Sequence, residues 1–439
     1  LVMDFSSVVD DLCDRFEFTP PERTGTLVRV VGMTLEARGI LAPVGALCRI
    51  ESPGHEPFDA EVVGFHDDIL YLMPFTDPSG AGPGARVRLM SSTAKAAVGN
   101  AQLGRILDGL GRPLDGRPAP VTETLLGLQG LMVNPMERGP IKTPLDVGVK
   151  TINGLLTIGC GQRIGLMAGS GVGKSVLLGM MTKYTEADVV VIGLIGERGR
   201  EVREFISETL GVDGLKKSIV IASPANESPV LRLRATYLAH LIAEYWRDQG
   251  KNVLLLMDSM TRVAHAQREI GLAVGEPPTS KGYPPSVFAL LPKLIERSGV
   301  GRHGHGAITA IYTVLAEGDD RSDPIIDISR ASLDGQVMLS RDLADAAFYP
   351  AIDLAGSVSR VMNQLVTPDV LARANQFRRL WTLYQQNRDL ISVGAYEQGT
   401  NPELDQAIQK RPQLEQFMRQ DESERFDFQQ TTTLLGGIV

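Results

Sequence analysis

The sequence predicts an α/β protein with a core of alternating strands and helices, an N-terminal small β-barrel and a C-terminal helical domain. From about residue 92 to 366, apolar runs of strand length alternate with helical patterns, which is typical of a parallel sheet with helices on both faces. Residues 24–91 contain shorter β-like runs separated by Gly and Pro, as expected for a small barrel. After Thr367 the chain shows helical patterns and no strand-like run.

The elements of the core follow from local patterns. One predicted connecting helix lies at 230–248, where apolar residues recur at helical spacing. Alternation of such helices with strands gives a parallel sheet whose strands end at one common edge, where ligands bind. The apolar runs that predict the strands lie at 164–168, 188–194, 218–222, 253–257 and 307–314.

Length and changes of pattern set the predicted domains. The chain has 439 residues, more than one compact core usually organises. Residues 4–18 carry apolar side chains at helical spacing between aspartates, which predicts a short amphipathic helix. We therefore divide the chain into an N-terminal helix and linker (1–23), the β-barrel (24–91), the nucleotide-binding domain (92–366) and the C-terminal helical domain (367–439).

Charge and hydropathy weigh against two classes of protein. The net charge of −8 gives no support to nucleic-acid binding by bulk attraction. The predicted barrel carries eight acidic side chains against five basic ones, whereas single-strand binders use a basic groove with stacking aromatics. No run of about 18 apolar residues occurs, so no membrane-spanning helix is expected.

A phosphate-binding loop is predicted at "AGSGVGKS", which departs from the pattern G-x-x-x-x-G-K-[ST] only at Ala168. A strand pattern precedes the loop and a proline-free helix pattern follows it. Ala168 is tolerable if its φ is negative, since only a positive φ would demand glycine. The alternative, a tight strand–helix turn, leaves the Lys-Ser pair unexplained. Nucleotide binding is therefore assigned to Gly169, Ser170, Gly171, Val172, Gly173, Lys174, Ser175 and Val176.

Hydrolysis also needs a carboxylate for Mg²⁺ and a group that orients water. Asp258 ends the apolar run "NVLLLMD" and is the candidate metal ligand together with Ser175. Glu197 follows the strand at 188–194 and is the candidate that orients water. The alternatives are a turn aspartate at the end of a strand, and a surface acid paired with Arg198 or Arg200.

These segments resemble a known family. "AGSGVGKS", "GERGREV", "LLLMDSMTR", "GEPPTSKGYPPSVF", "EGDDRSDPI" and "YPAIDLAGSVSR" are together similar to the hexameric rotary-type ATPases, relatives of the ATP synthase catalytic subunits. The closer resemblance is to the type III protein-export ATPases, over nearly the entire chain, and it implies a RecA-like core. The P-loop of that family commonly begins with alanine. The run "VGMTLEARGILAPVGALCRIES" favours the flagellum-specific branch over the injectisome branch.

The resemblance implies roles that spacing alone does not. It makes Glu197 the catalytic glutamate, Arg198 its phosphate-side neighbour, Tyr349 the aromatic that stacks on adenine, and Arg360 an arginine finger for the neighbouring subunit. Lys174 joins them in the catalytic set. A residue that acts in the neighbouring site implies a ring, which in the family is a homohexamer. Without the resemblance, a core tyrosine and a surface salt-bridge arginine would be the preferred interpretations.

The resemblance also implies cofactors, partners and location. ATP and Mg²⁺ are the expected cofactors, and the expected function is ATP hydrolysis that energises or primes flagellar export by releasing chaperone–cargo complexes to a membrane export gate. A dimeric stalk-like regulator would bind the N-terminal helix, and a coiled-coil central stalk protein would contact the ring, whose central channel the loop at 271–286 would face. We expect a cytoplasmic protein peripherally associated with the inner-membrane export apparatus.

Three alternatives stay open at this point. An injectisome ATPase shares the export function, and a ring-shaped nucleic-acid translocase shares the nucleotide core, although the acidic balance of the barrel disfavours nucleic acid as a partner. A rotary ATP synthase subunit shares every catalytic motif. One chain that carries both the Glu197 and the Arg360 motif fits a homohexamer better than an alternating hetero-ring. His303 and His305 in "GRHGHG" predict a flexible polar loop and no metal site.

Overall fold

The computed structural model describes residues 24–130, 132–302, 304–315 and 323–439. The amphipathic helix predicted at 4–18 and His303 lie outside the described residues. Contacts divide the chain into two compact units, one up to Ala94 and one spanning Lys95–Val439. None of the described helices is long and apolar enough to cross a membrane.

The first unit confirms the predicted small barrel. Its strands, among the described residues, close in the order β1-β2-β5-β4-β3-β6. Alternate residues point inward, as with Leu35 and Ala37, and these fill the interior together with Ile50, Val62 and Leu72. The strands are β1 (Thr24–Val31), β2 (Thr34–Arg38), β3 (Leu47–Glu51), β4 (Phe58–His66), β5 (Ile69–Pro74) and β6 (Arg86–Ser91).

The second unit confirms the predicted α/β core. Its sheet, within the described part of the chain, has the order β17-β16-β10-β15-β13-β11-β12-β8, with β14 paired to β15 and a separate pair of β7 with β9. The strands are β7 (Lys95–Val98), β8 (Ile106–Leu107), β9 (Thr124–Gly127), β10 (Arg163–Ala168), β11 (Val189–Ile195), β12 (Ser218–Ser223), β13 (Asn252–Asp258), β14 (Gly299–Val300), β15 (Ala307–Leu315), β16 (Gly335–Leu339) and β17 (Ile352–Ser359).

Helices follow most of these strands, and three of them make up the C-terminal segment. A π-helix at Phe205–Leu210 separates α3 from α4. The helices are α1 (Lys150–Leu155), α2 (Lys174–Tyr184), α3 (Gly199–Glu204), α4 (Gly211–Lys216), α5 (Pro229–Asp248), α6 (Met260–Ala273), α7 (Pro285–Ile295), α8 (Pro324–Ser332), α9 (Arg341–Asp345), α10 (Met362–Leu365), α11 (Pro368–Ser392), α12 (Pro402–Met418) and α13 (Phe428–Ile438).

Both faces of the sheet are buried. Along β11, Val190, Ile192 and Leu194 pack into one core with the C-terminal helices. The alternate residues face α5, and a Cβ added at Gly193 would lie 3.4 Å from the Cβ of Ala239. This is why β11 is a continuous apolar run and not an alternating one. The C-terminal helices share a core with the sheet through side chains such as Phe377, while the domain boundary at 366/367 stays a prediction.

The sheet is parallel through β8, β10–β13, β15 and β16, and antiparallel at β14 and β17. The apolar runs had not marked β17, because it is an edge strand with several half-exposed or exposed residues. Because β17 runs antiparallel to its neighbour β16, residues that follow it lie at the opposite end of the strands from residues that follow the parallel strands. The P-loop, Glu197 and Asp258 lie where the parallel strands end. Arg360, just after the antiparallel strand β17, lies at the opposite end of the strands.

Candidate functional site

The P-loop connects β10 to α2 with the backbone that its glycines allow. Ala168 is the last residue of β10, buried and outside the positive-φ region, so the departure from the strict pattern costs nothing. Gly171 and Gly173 have φ values of 75° and 85°, which only glycine adopts readily. α2 begins at Lys174, and its free N–H groups therefore face the loop, as in anion sites at helix N-termini.

A cavity of 660 Å³ opens over this loop, a size within the range of ligand sites. Val172, a buried residue of the loop, is not part of the cavity wall, and neither are Tyr349 and Arg360. The remaining predicted residues line it, namely Gly169, Ser170, Gly171, Gly173, Lys174, Ser175, Val176, Glu197, Arg198 and Asp258.

Lys174 holds two carboxylates at the floor of this cavity. Its ammonium nitrogen lies 2.6 Å from Oδ1 of Asp258 and 3.3 Å from Oε1 of Glu197. The three side chains are between 7% and 14% exposed. Burial alone would lower the pKa of Lys174, but the two carboxylates outweigh it and the net shift is upward. Lys174 therefore stays charged.

Glu197 pairs with Lys174 and not with the arginines that follow it. Arg198 pairs with Glu201 and Arg200 with Glu204, so the surface-acid alternative for Glu197 does not hold. Burial raises the pKa of Glu197; Lys174 opposes this shift, and the carboxyl groups of Asp258 and Glu201 add to it. A carboxylate with a raised pKa is a better proton acceptor near neutral pH.

Asp258 is buried at the end of β13 and is oriented from a second side. Thr313 of β15 donates a 2.6 Å hydrogen bond to the same Oδ1 that Lys174 contacts. Ser175, in the first turn of α2, faces the same cavity. One carboxylate and one hydroxyl form the sparse oxygen set that Mg²⁺ takes when substrate phosphates and water complete its shell. The residues present therefore fit Mg²⁺.

Two arginines in the cavity wall were missed from the sequence. Arg262, in α6, has a buried Nε with no hydrogen-bond partner among the described residues. Arg341, at the start of α9, donates to the carbonyl oxygen of Ser170 at 3.1 Å. A signal for Arg262 was available, because it lies four residues after Asp258, in the first turn of the helix that follows β13. Nothing in the sequence near Arg341 connects it to the P-loop.

Tyr349 lies against the P-loop from the other side. A Cβ added at Gly173 would approach its Cε1 atom to 3.2 Å, and the residue is 44% exposed. The ring borders a second cavity of 1030 Å³, whose remaining walls come mostly from α12, α13 and the segment between them. The two cavities therefore adjoin at Tyr349 and Gly173.

Arg360 is the predicted site residue that the structure leaves apart from the others. It is exposed, its backbone N–H donates to Asp334 at 3.0 Å, and Asp334 donates in turn to Arg163 at 2.8 Å. Arg163 begins β10, which is six residues long, so the P-loop starts about 20 Å further along that strand. Arg360 therefore does not reach the P-loop of its own chain. His305 lies 3.7 Å from the carboxylate of Asp248, remote from these residues in the chain.

Comparison with known proteins identifies the family. Residues 148–359 match the ATP synthase alpha/beta family, nucleotide-binding domain, and residues 366–436 match the T3SS EscN ATPase C-terminal domain. The flagellum-specific ATP synthase of Pseudomonas aeruginosa is 57% identical, over 92% of this chain and 91% of that protein. This chain belongs to the type III protein-export ATPases. Membership confirms the resemblance and the prediction that the chain is an ATPase.

Other relatives of this export ATPase support the same family assignment. The flagellum-specific ATP synthase of Salmonella typhimurium is 54% identical, over 94% of the chain and 93% of that protein. Among solved structures, the assembled ATPase EscN of the enteropathogenic E. coli type III secretion system superposes with a TM-score of 0.89 at 42% identity, covering 94% of this chain and 99% of EscN. EscN in complex with its central stalk EscO gives a TM-score of 0.87 at 41% identity, with the same coverage.

Proposed function

We propose that this export ATPase hydrolyses Mg-ATP at the P-loop cavity, as a homohexameric ring that energises or primes protein export through the flagellar type III secretion apparatus. The observation that carries the proposal is the convergence of Lys174, Glu197 and Asp258 in one cavity over the P-loop. A cation and two carboxylates at this edge are the groups that hold phosphates, metal and water in phosphoryl transfer.

Each group has a distinct task. The loop N–H groups and Lys174 bind the β- and γ-phosphates, and Ser175 with Asp258 holds the metal. Mg²⁺ bound there supplies positive charge to the phosphate oxygens. Glu197 orients a water toward the γ-phosphorus and takes its proton as the bond to the ADP oxygen breaks. Its raised pKa, caused first by burial, suits it to that role.

The arginines supply further positive charge. Arg198 borders the cavity beside Glu197, and Arg262 lines the same cavity. Charge that develops on the transferring phosphoryl group is stabilised by such fixed cations. Tyr349, exposed and in contact with the loop, is proposed as the surface on which the adenine ring stacks.

A finger supplied by the neighbouring subunit is supported by the position of Arg360. It lies about 20 Å from its own P-loop along β10, beyond the reach of one side chain. It is exposed at the edge strand of the sheet, where a second copy has access to it. A ring of identical subunits would bring each Arg360 to the site of the next chain.

The export role follows from the family and stays a proposal in its details. Two relatives named flagellum-specific are 57% and 54% identical, against 42% for EscN of the enteropathogenic E. coli type III secretion system, which favours the flagellar system. EscN binds a central stalk, and we propose a coiled-coil stalk partner here as well. Chaperone–cargo complexes, a dimeric regulator at the N-terminal segment and the membrane export gate complete the proposed partners, with the protein on the cytoplasmic side.

A mixing experiment tests the core of this proposal. Arg360→Ala and Glu197→Gln subunits are each expected to be nearly inactive, with losses of about 10³–10⁵-fold and 10²–10⁴-fold. In mixed rings, some interfaces combine an intact Glu197 site with an intact Arg360, and part of the ATPase activity should return. Absence of recovery in assemblies shown by native mass spectrometry to be mixed would rule out the shared site.

A further inference from the structure

Gln420, two residues beyond the end of α12, holds the main chain of Tyr349. The backbone N–H of Gln420 donates to the carbonyl oxygen of Tyr349 at 3.1 Å. The Gln420 side chain is 5% exposed and makes three more hydrogen bonds. Its Oε1 accepts from the N–H of Lys150 at 2.8 Å, and its Nε2 donates to the carbonyl oxygens of Gly148 at 2.8 Å and Glu424 at 2.9 Å. Because both Nε2 hydrogens and the Oε1 atom are hydrogen-bonded, the buried amide is held in one orientation.

The preceding residue holds the two positions before Tyr349. Arg419 donates from Nη1 to the carbonyl oxygen of Ala347 at 3.2 Å, and its guanidinium carbon lies 4.4 Å from the centre of the Phe348 ring. Ala347 has a φ of +51°, a left-handed conformation that costs energy for a residue with a Cβ. Such conformations persist where neighbouring groups impose them, and they cluster at ligand clamps.

Among the described residues, the Tyr349 ring itself makes one hydrogen bond. It is exposed, and its hydroxyl makes a single long hydrogen bond of 3.3 Å to Ala344. The position of the ring therefore depends on its main chain, which Arg419 and Gln420 hold from the end of α12. Ala347, Tyr349, Arg419 and Gln420 all line the same 1030 Å³ cavity.

We propose that Arg419 and Gln420 are positioning residues for base recognition, which hold residues 347–349 so that the Tyr349 ring faces the bound base. The two residues that follow α12 then affect how tightly the base of the nucleotide is bound, and they do not affect binding of the phosphates. The inference rests on the proposed role of Tyr349 as the stacking surface.

Binding of two ligands to the full-length protein, measured by calorimetry, tests this inference. Mg-ADP carries the base, whereas Mg-tripolyphosphate presents phosphates alone to the P-loop. Gln420→Met removes all three side-chain hydrogen bonds at nearly constant size. It should weaken ADP binding about tenfold, an effect comparable to the net contribution of one or two hydrogen bonds. Tripolyphosphate binding should stay within about twofold. The matched control is Gln376→Met, at an exposed position of α11, which should change neither affinity.

A double-mutant cycle with Tyr349→Ala separates the two proposals. Loss of base stacking should cost Tyr349→Ala about 5- to 150-fold in ADP affinity. Adding Gln420→Met should then cost nothing more, because it acts through the ring that is absent. Full ADP affinity in Tyr349→Ala would overturn the stacking role together with this inference. A loss in Tyr349→Ala with unchanged affinity in the Gln420 variant would overturn the inference alone.

Two further results bear on the inference. Equal losses for ADP and tripolyphosphate in Gln420→Met would show a general structural effect and overturn it. Should Gln420→Met fail to fold, Arg419→Ala gives the same test at an exposed position, since it removes the bond to Ala347 and the contact with Phe348. ADP-selective weakening in Arg419→Ala supports the inference, and its absence overturns it.

Discussion

The hydroxyl of Thr313 donates a 2.6 Å hydrogen bond to Oδ1 of Asp258, and both side chains are buried. Thr313 lies on β15 and Asp258 at the end of the neighbouring strand β13. The bond holds the orientation of the carboxylate that is proposed to bind Mg²⁺. Orientation of such a ligand by a second residue commonly affects metal affinity by 10- to 100-fold.

Thr313→Val should therefore raise the Mg²⁺ concentration needed for half-maximal ATPase activity by about tenfold, because valine has the same shape and no hydroxyl. Activity at saturating Mg²⁺ should change much less. Thr313→Ser keeps the donor and should behave like the parent protein in the same titration. An unchanged Mg²⁺ requirement in Thr313→Val would show that the bond does not orient the metal ligand.

Glu197→Gln should reduce turnover by about 10²–10⁴-fold and stabilise the nucleotide-free protein at neutral pH. Burial raises the pKa of Glu197, so the folded state favours the neutral carboxyl. The stability that Glu197 contributes is full below its unfolded pKa and is lost as pH rises through its folded pKa. Glutamine does not titrate, and the gain in melting temperature should therefore grow between pH 5 and pH 8.

The control for this pH series is Glu208→Gln, since Glu208 is an exposed glutamate of the π-helix. Its melting temperature should follow that of the parent protein across the pH range. A Glu197→Gln protein that melts below the parent at pH 8 would mean that the ion pair with Lys174 outweighs burial.

Ala168→Gly should leave nucleotide affinity within about twofold and lower the free energy of unfolding by about 1 kcal/mol, because a strand loses stability when alanine becomes glycine. Gly173→Ala should instead weaken nucleotide binding. Its φ of 85° and the approach of Tyr349 disfavour a Cβ there, so ADP affinity should fall about tenfold. Calorimetric titration and thermal unfolding check both variants, and equal ADP affinities would contradict the assigned loop geometry.

Deletion of residues 1–18 should preserve ATPase activity and abolish capture of the dimeric regulator, because the predicted apolar face at 4–18 is proposed as its binding site. A short amphipathic helix is marginal alone in water and gains stability from a partner. Asp10→Asn with Asp14→Asn changes only the polar side and should retain capture of the purified regulator. Undiminished capture by the truncated protein would place the binding site elsewhere.

The sequence predicted the strands of the core closely, because β10, β11 and β13 are buried on both faces and read as continuous apolar runs. Glu197 and Asp258 were found because they follow or end such runs. Thr313 was not, since its hydroxyl stands in an apolar strand and its partner is distant in sequence. The place of Arg341 beside the P-loop was not predicted either, because it depends on a contact made only after folding.

Residue patterns alone do not predict the proposed roles of Tyr349 and Arg360. A tyrosine near an apolar run reads as core, yet Tyr349 is 44% exposed. An arginine after an edge strand is usually a surface ion pair, yet the Arg360 side chain donates to the backbone oxygen of Arg330 at 3.3 Å. Resemblance to a family supplied their proposed roles, because the proposed partner of each is a ligand or a second chain.

The opposite placement of Arg360 and the P-loop has a consequence for counting. If each chain carries the two halves of a catalytic centre on different flanks, the smallest complete enzyme is the seam between two chains. An open row of n chains then contains n − 1 finished centres and leaves one unmatched half at each end. Closing the row into a ring finishes the last centre without adding a chain. Turnover per chain would rise with every step of assembly and reach its ceiling only on closure.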